Sequence, residues 1–333
     1  MKLRKFISSL IKNILGTLIL FLGLQANAQD FHFTQFYANK LYLAPSFAGA
    51  TEQNRVILNY RNQWPAVNGY VTYSVSFDHY FSNFNSGLGF LVMRDIAGDG
   101  KLGPFYLGIH YSYDLSITEN LHVRPGLSLS YYQWSVDFSK FNFSSQIDQT
   151  SGSQTTIDNL SGKESVGAID GASSAIIYAK NWMLGATLNH LLRPNQSLLG
   201  NVDRLPLEFS MFGSVTLFRY GRLLKPVDET VTVASMFKKM GKDVQLDVGL
   251  YWAQIPFTFG LWYRGIPIVN SDRGDSFALL VGIKRQHFSF GYSYDFTISN
   301  LVNKSAGAHE ISMTYEFAKT KRKKMHAVPC PEF

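Results

Sequence analysis

The sequence predicts an all-β fold, a transmembrane antiparallel β-barrel of about fourteen strands with both termini periplasmic. Three observations predict it. Apolar and polar residues alternate along nearly the whole chain after the signal segment 1–28, the period of a sheet whose two faces meet different media. Charged residues are only 17% of the 333 and aromatics reach 15%, whereas about a quarter of a soluble domain is charged. Mean hydropathy is −0.04, too low for a bundle of helices that each need about 20 apolar residues.

Residues 1–28 have the pattern of a cleaved secretory signal. Lys2, Arg4, Lys5 and Lys12 precede the apolar stretch Ile14–Leu24, and Ala26-Asn27-Ala28 supplies an A-x-A cleavage site. No cysteine stands at that point, which argues against a lipoprotein. Residues 29–53 are expected to form a periplasmic N-terminal segment, 54–317 the barrel in the outer membrane, and 318–333 a basic periplasmic tail. The formal net charge of +7 suggests nucleic acid, but each end carries +4 and residues 29–317 are left with −1. A basic nucleic-acid footprint on the body therefore has no support, and no nucleic-acid partner is expected.

Strands are expected near 54–64, 70–81, 86–94, 103–115, 120–135, 168–180, 181–191, 207–218, 229–238, 243–253, 255–264, 276–285, 286–297 and 307–317. The clearest is His287–Thr297. Phe288, Phe290, Tyr292, Tyr294 and Phe296 would face lipid, and Ser289, Gly291, Ser293, Asp295 and Thr297 the lumen. Connections at 180–181, 254 and 285–286 are short enough to be tight turns, while 95–102, 136–167, 193–206 and 265–275 are long. Short periplasmic turns and long outer loops are the usual barrel pattern; only 219–228 breaks it. The Ser-, Gln- and Thr-rich loop 136–167 carries no recognisable motif.

Chemistry is sparse. The lone Cys330 excludes an internal disulfide framework, and eight scattered histidines show no metal-ligand spacing. No nucleophile elbow or phosphate loop is present, so no catalytic, cofactor or metal site is expected and the chain is not expected to be an enzyme. Asp95–Lys101 looks more like an Asp-Gly turn than a calcium loop. Alternation points Arg55, Arg61, Asp78, Asp114, Asp247, Arg264 and Asp295 into the lumen, as an ion-paired lattice, a selectivity filter or a cradle for an inserted peptide. The tail residues Lys321, Arg322, Lys323, Lys324, Cys330 and Phe333 form a candidate partner-binding handle.

Four stretches carry a family likeness. They are Thr34-Gln35-Phe36-Tyr37 leading to Pro45-Ser46-Phe47-Ala48-Gly49; Tyr60-Arg61-Asn62-Gln63-Trp64; Gly291-Tyr292-Ser293-Tyr294-Asp295-Phe296-Thr297-Ile298-Ser299; and Gly307-Ala308-His309-Glu310-Ile311. With the Pro-Cys-Pro-x-Phe end, the chain from Phe33 to Phe333 resembles the PorP/SprF family of type IX secretion outer-membrane proteins of Bacteroidota. It departs from the family pattern at Pro65 and Tyr70. The resemblance implies a non-enzymatic role with periplasmic ring and lipoprotein components, or in escorting and anchoring a large secreted adhesin, as in gliding motility. The alternative is an outer-membrane diffusion or hydrophobic-solute transport channel.

Overall fold

Period-2 alternation gives every strand one apolar and one polar face, and a sheet with such faces can avoid open edges by closing on itself. The computed structural model shows that closure. It describes residues 31, 33–51, 53–140, 164–220, 229–266, 276–298, 306–317 and 328–329. The principal strands are β1 (Arg55–Gln63), β2 (Tyr70–Phe81), β3 (Ser86–Ala97), β4 (Gly103–Tyr113), β5 (His122–Ser135), β6 (Ser165–Ala179) and β7 (Trp182–Asn189). The ring continues through β8 (Glu208–Tyr220), β9 (Glu229–Met240), β10 (Asp243–Gln254), β11 (Phe257–Arg264), β12 (Ser276–Arg285), β13 (Phe288–Thr297) and β14 (Ala308–Glu316). Leu115–Ser116 prolongs β4 and pairs with β5 at Val123 and His122.

Neighbours along the chain pair antiparallel, and β14 returns to β1 in register from Arg55↔Glu316 to Gln63↔Ala308. The result is a closed barrel of fourteen principal strands. All fourteen expected strands are present; β3 runs on to Ala97 and β6 begins at Ser165. Both ends of the strand ring, the start of β1 and the finish of β14, lie on one side, called here the terminal end. The pairs Lys180–Asn181, Ile255–Pro256 and Gln286–His287 make tight turns there. At the far end Gly241–Lys242 makes a two-residue turn, and the connector expected to be long at 95–102 is a four-residue turn, Gly98–Lys101, closed by the Ala97–Leu102 bridge.

The wall sorts its residues as the pattern demands. Along β13, Phe288, Phe290, Tyr292 and Phe296 are exposed on the outside, while Ser289, Gly291, Ser293 and Asp295 are buried inside. On β4, Leu107, Ile109, Tyr111 and Tyr113 face out against Gly108, His110 and Ser112.

The expectation for 29–53 needs correction over its described part. From Phe33 to Thr51 every described residue except Tyr42 is buried, and the segment bonds to inward-facing groups around the ring. It is a plug inside the barrel rather than a segment outside it. Its composition explains why: Lys40 is its only charged residue, and seven of its nineteen residues are Phe, Tyr or Leu. A short helix α1 (Lys40–Leu43) and a 3-10 turn (Pro45–Phe47) satisfy part of its backbone internally.

Candidate functional site: the plugged lumen

The plug is held at two levels. Towards the far end, Thr34 and Gln35 enter a cluster of buried charges contributed by β1, β11, β13 and β14. The Thr34 and Gln35 backbone N–H groups donate to the two oxygens of Glu310, at 2.7 and 3.0 Å. The Thr34 hydroxyl donates to Asp295 (2.7 Å) and accepts from Arg61 and Arg264. Arg61 in turn pairs with Asp295 and Glu310, both at 3.1 Å, and Arg264 pairs with Asp295 at 2.8 Å. Gln35 donates to Ser293 and to the Glu310 carbonyl, and accepts from Ser312 at 2.7 Å. Gln63 accepts from Arg61 on the same strand. Asp247 lies 3.9 Å from Arg264 and accepts from Gln245 and the Gly265 N–H.

Buried ions cost several kcal/mol each to desolvate, and pairing repays that only when the remaining lone pairs are also met. Here the plug supplies partners to both oxygens of Glu310 and to one oxygen of Asp295. Without Thr34 and Gln35, Glu310 would lose two of its donors inside a closed wall.

Nearer the terminal end a second set grips the other half of the plug. Arg55 pairs with Asp78 at 2.9 Å, and Asp78 also accepts from the Gly49 N–H at 2.9 Å. Arg124 donates to the carbonyls of Ser46 and Ala48, and Ser112 to that of Ala48. Ser46 and Ser174 share a hydroxyl hydrogen bond. Asp114 meets Arg124 (3.4 Å), His122 (3.6 Å) and the Tyr178 hydroxyl. The wall is cut to fit this backbone: a Cβ on Gly87 would strike the Ala48 carbonyl, and one on Gly126 the backbone of Ser46.

Between the two levels the contacts are aromatic and apolar. Phe36 packs edge-on against Trp262 at 4.8 Å, Phe47 stacks on Phe212 at 5.7 Å, and Tyr251 meets Trp262 at 5.8 Å. The Tyr37 hydroxyl donates to the Gly213 carbonyl at 2.9 Å. A cavity of about 30 Å³ beside Tyr37, Lys40 and Arg55 has room for one or two waters.

All seven lumen residues singled out from the sequence are in or beside these groups. Arg61, Asp247, Arg264 and Asp295 meet in one cluster, Arg55 and Asp78 in a pair, and Asp114 stands apart from both. Sequence reasoning missed Glu310, Arg124, the buried pair His190–Asp170 (2.6 Å) and Lys238–Glu208 (2.6 Å). Alternation carries Glu310 and Arg124: they share parity with Ser312 and Gly126, which face inward. Thr34 and Gln35 carry no periodic signal. Lys321, Arg322, Lys323, Lys324, Cys330 and Phe333, and the signal segment 1–28, lie outside the described residues.

The far-end cluster draws its members from separated stretches of sequence: Thr34 and Gln35 from the opening, Arg61 and Gln63 from β1, Ser293 and Asp295 from β13, Glu310 from β14. Residues 25–315 match the family model described as type IX secretion system membrane protein PorP/SprF. The chain belongs to this family. The four stretches that resemble the PorP/SprF family are thus largely the ones that meet at the plug. No curated protein matches the chain. Among solved structures it is similar to KdgM porin in complex with disordered oligogalacturonate, at 9% identity and TM-score 0.39, over 79% of this chain and 99% of that one. It is also similar to Omp33 of Acinetobacter baumannii, at 8% identity and TM-score 0.44, over 80% and 100%. The P. putida toluene transporter TodX gives 9% identity and TM-score 0.47 over 83% and 92%. This PorP/SprF chain is an outer-membrane β-barrel and a type IX secretion component.

Proposed function

We propose that this PorP/SprF barrel is a non-enzymatic anchor of the type IX secretion and gliding machinery. It holds or escorts a large secreted surface adhesin and contacts periplasmic ring or lipoprotein components. Both termini are periplasmic in this arrangement, with the longer connectors outside. The observation that carries it is the filled lumen: the plug occupies the interior and bonds to Glu310, Asp295 and Asp78 of the wall. A barrel built around such a core offers its ends and loops to other proteins, not a path to solutes.

Deleting the gene is expected to abolish surface display or release of one or more cargo proteins. An unchanged surface proteome and secretome in the deletion strain would overturn the proposal. Removing residues 318–333 should leave an assembled barrel that no longer co-purifies with its machine partners, and undiminished co-purification would remove the tail from the account. The channel reading is the rival, and the filled lumen weighs against it.

A further inference from the structure

The connector from β7 to β8, at the far end, is a hairpin with its own ladder rather than a slack loop. The Gln196 N–H donates to the Asp203 carbonyl at 2.8 Å and the Leu205 N–H to that of Pro194 at 3.0 Å, with Asn195 paired to Arg204 between them. The Asn195 side chain ties the arms together, accepting from the Asp203 and Ser197 N–H groups and donating to the Asn201 carbonyl. Its foot is fixed to the wall. Asp170 of β6 pairs with His190 at 2.6 Å and accepts from the Leu192 N–H, while Pro194 and Leu205 are buried.

This supported arm carries apolar side chains at its tip. Val202 is 78% exposed, the highest value of any large apolar residue described, and Leu199 is 69% exposed. Gly200, at φ +84°, supplies the turn that L side chains rarely adopt. Other exposed apolar tips, such as Phe84 and Ile255, sit in turns directly at strand ends, beside the lipid-facing belt. Leu199 and Val202 are separated from the belt residues Leu188 and Phe209 by the polar side chains of Asn195, Gln196, Asp203 and Arg204. The five residues from Pro194 to Leu199 can reach roughly 16 Å beyond the foot, so the lipid-facing pattern of the wall does not extend to the tip.

Exposed apolar groups on a rigid, polar-flanked support are the anatomy of a protein contact: burying them is favourable and little ordering entropy remains to be lost. The surround is cationic. Arg193 and Arg204 are exposed on the hairpin, and Lys239 and Lys242 beside the next turn, where a Cβ on Gly241 would rest against Pro206. Against them stand Asp203, already bonded by the Gln196 side chain, and Asp243.

We propose that Leu199 and Val202 form a docking knob for the secreted cargo, which receives them in an apolar patch rimmed by carboxylates. The proposal rests on the cargo-anchoring reading above, in which the far end faces outside, and it places the contact on one connector.

The test uses the full chain expressed in the gene-deletion strain, with a photo-crosslinking amino acid at position 202. The knob predicts an adduct with a protein whose surface display is lost in the deletion strain, and no such adduct from a control probe at position 84. Leu199→Ser combined with Val202→Ser should lower the display of that protein at least about tenfold, with the heat-modifiable band of the barrel unchanged. Arg193→Glu combined with Arg204→Glu should do the same. An adduct only with lipopolysaccharide, only with a second copy of the barrel, or with nothing would overturn the knob. Full display in the serine variant would overturn it too, and full display in the glutamate variant would overturn the carboxylate rim. Loss of display on deletion with full display in the serine variant removes the knob alone; an unaltered surface proteome on deletion removes the cargo reading and the knob with it.

Discussion

The outer and inner faces of the same strands obey different rules. Outside, Phe288, Phe290 and Phe296 on β13 need only be apolar and exposed, because lipid makes no demand on shape. Inside, Ser293 and Asp295 of the same strand each meet a named atom of the plug. Successive residues of one strand therefore differ in how many partners constrain them. The comparison teaches that the lumen of this barrel is a protein core in the ordinary sense, close-packed and hydrogen-bonded, whereas the outer wall is a solvent-matching surface.

That contrast predicts a ladder of mutational effects, measurable as urea unfolding midpoints of the barrel in lipid vesicles. The largest is expected for Glu310→Ala, which strips Arg61 of one carboxylate and leaves the Thr34 and Gln35 N–H groups without acceptors; breaking a buried pair of this kind costs about 3–5 kcal/mol. Next comes Gly126→Val, which drives a side chain into the Ser46 backbone and should cost about 1–3 kcal/mol or more through overpacking. Tyr37→Phe removes one neutral hydrogen bond to the Gly213 carbonyl, worth about 1 kcal/mol. Phe290→Leu on the outer face should change stability by less than about 0.5 kcal/mol. An outer-face exchange as costly as the Glu310 change would erase the distinction between the faces. A silent Glu310→Ala would show that the plug does not depend on that carboxylate.

The same contrast explains what was legible in the sequence. Strand existence and facing were, because the period of 2 repeats over every strand and each violation is visible against its neighbours. Arg55, Arg61, Asp78, Asp247, Arg264 and Asp295 were legible as inward charges for that reason. Their pairing was not: Arg61 lies 249 residues from Glu310, and closure of β14 on β1 brings them together without any local mark. The plug was not legible either. Thr34 to Thr51 have neither strand alternation nor a helix long enough to show a period, and their burial is decided by a wall that comes later in the chain. What the sequence offered was indirect, a nearly uncharged stretch too apolar to sit comfortably in water, together with family motifs whose shared destination only the fold reveals.

Planar-bilayer conductance of the full-length barrel tests the central claim most directly. A lumen filled by residues 33–51 and tied to Glu310, Asp295 and Asp78 predicts a barrel that inserts without opening steady pores. Long-lived open channels with solute preference in the unmodified protein would contradict it.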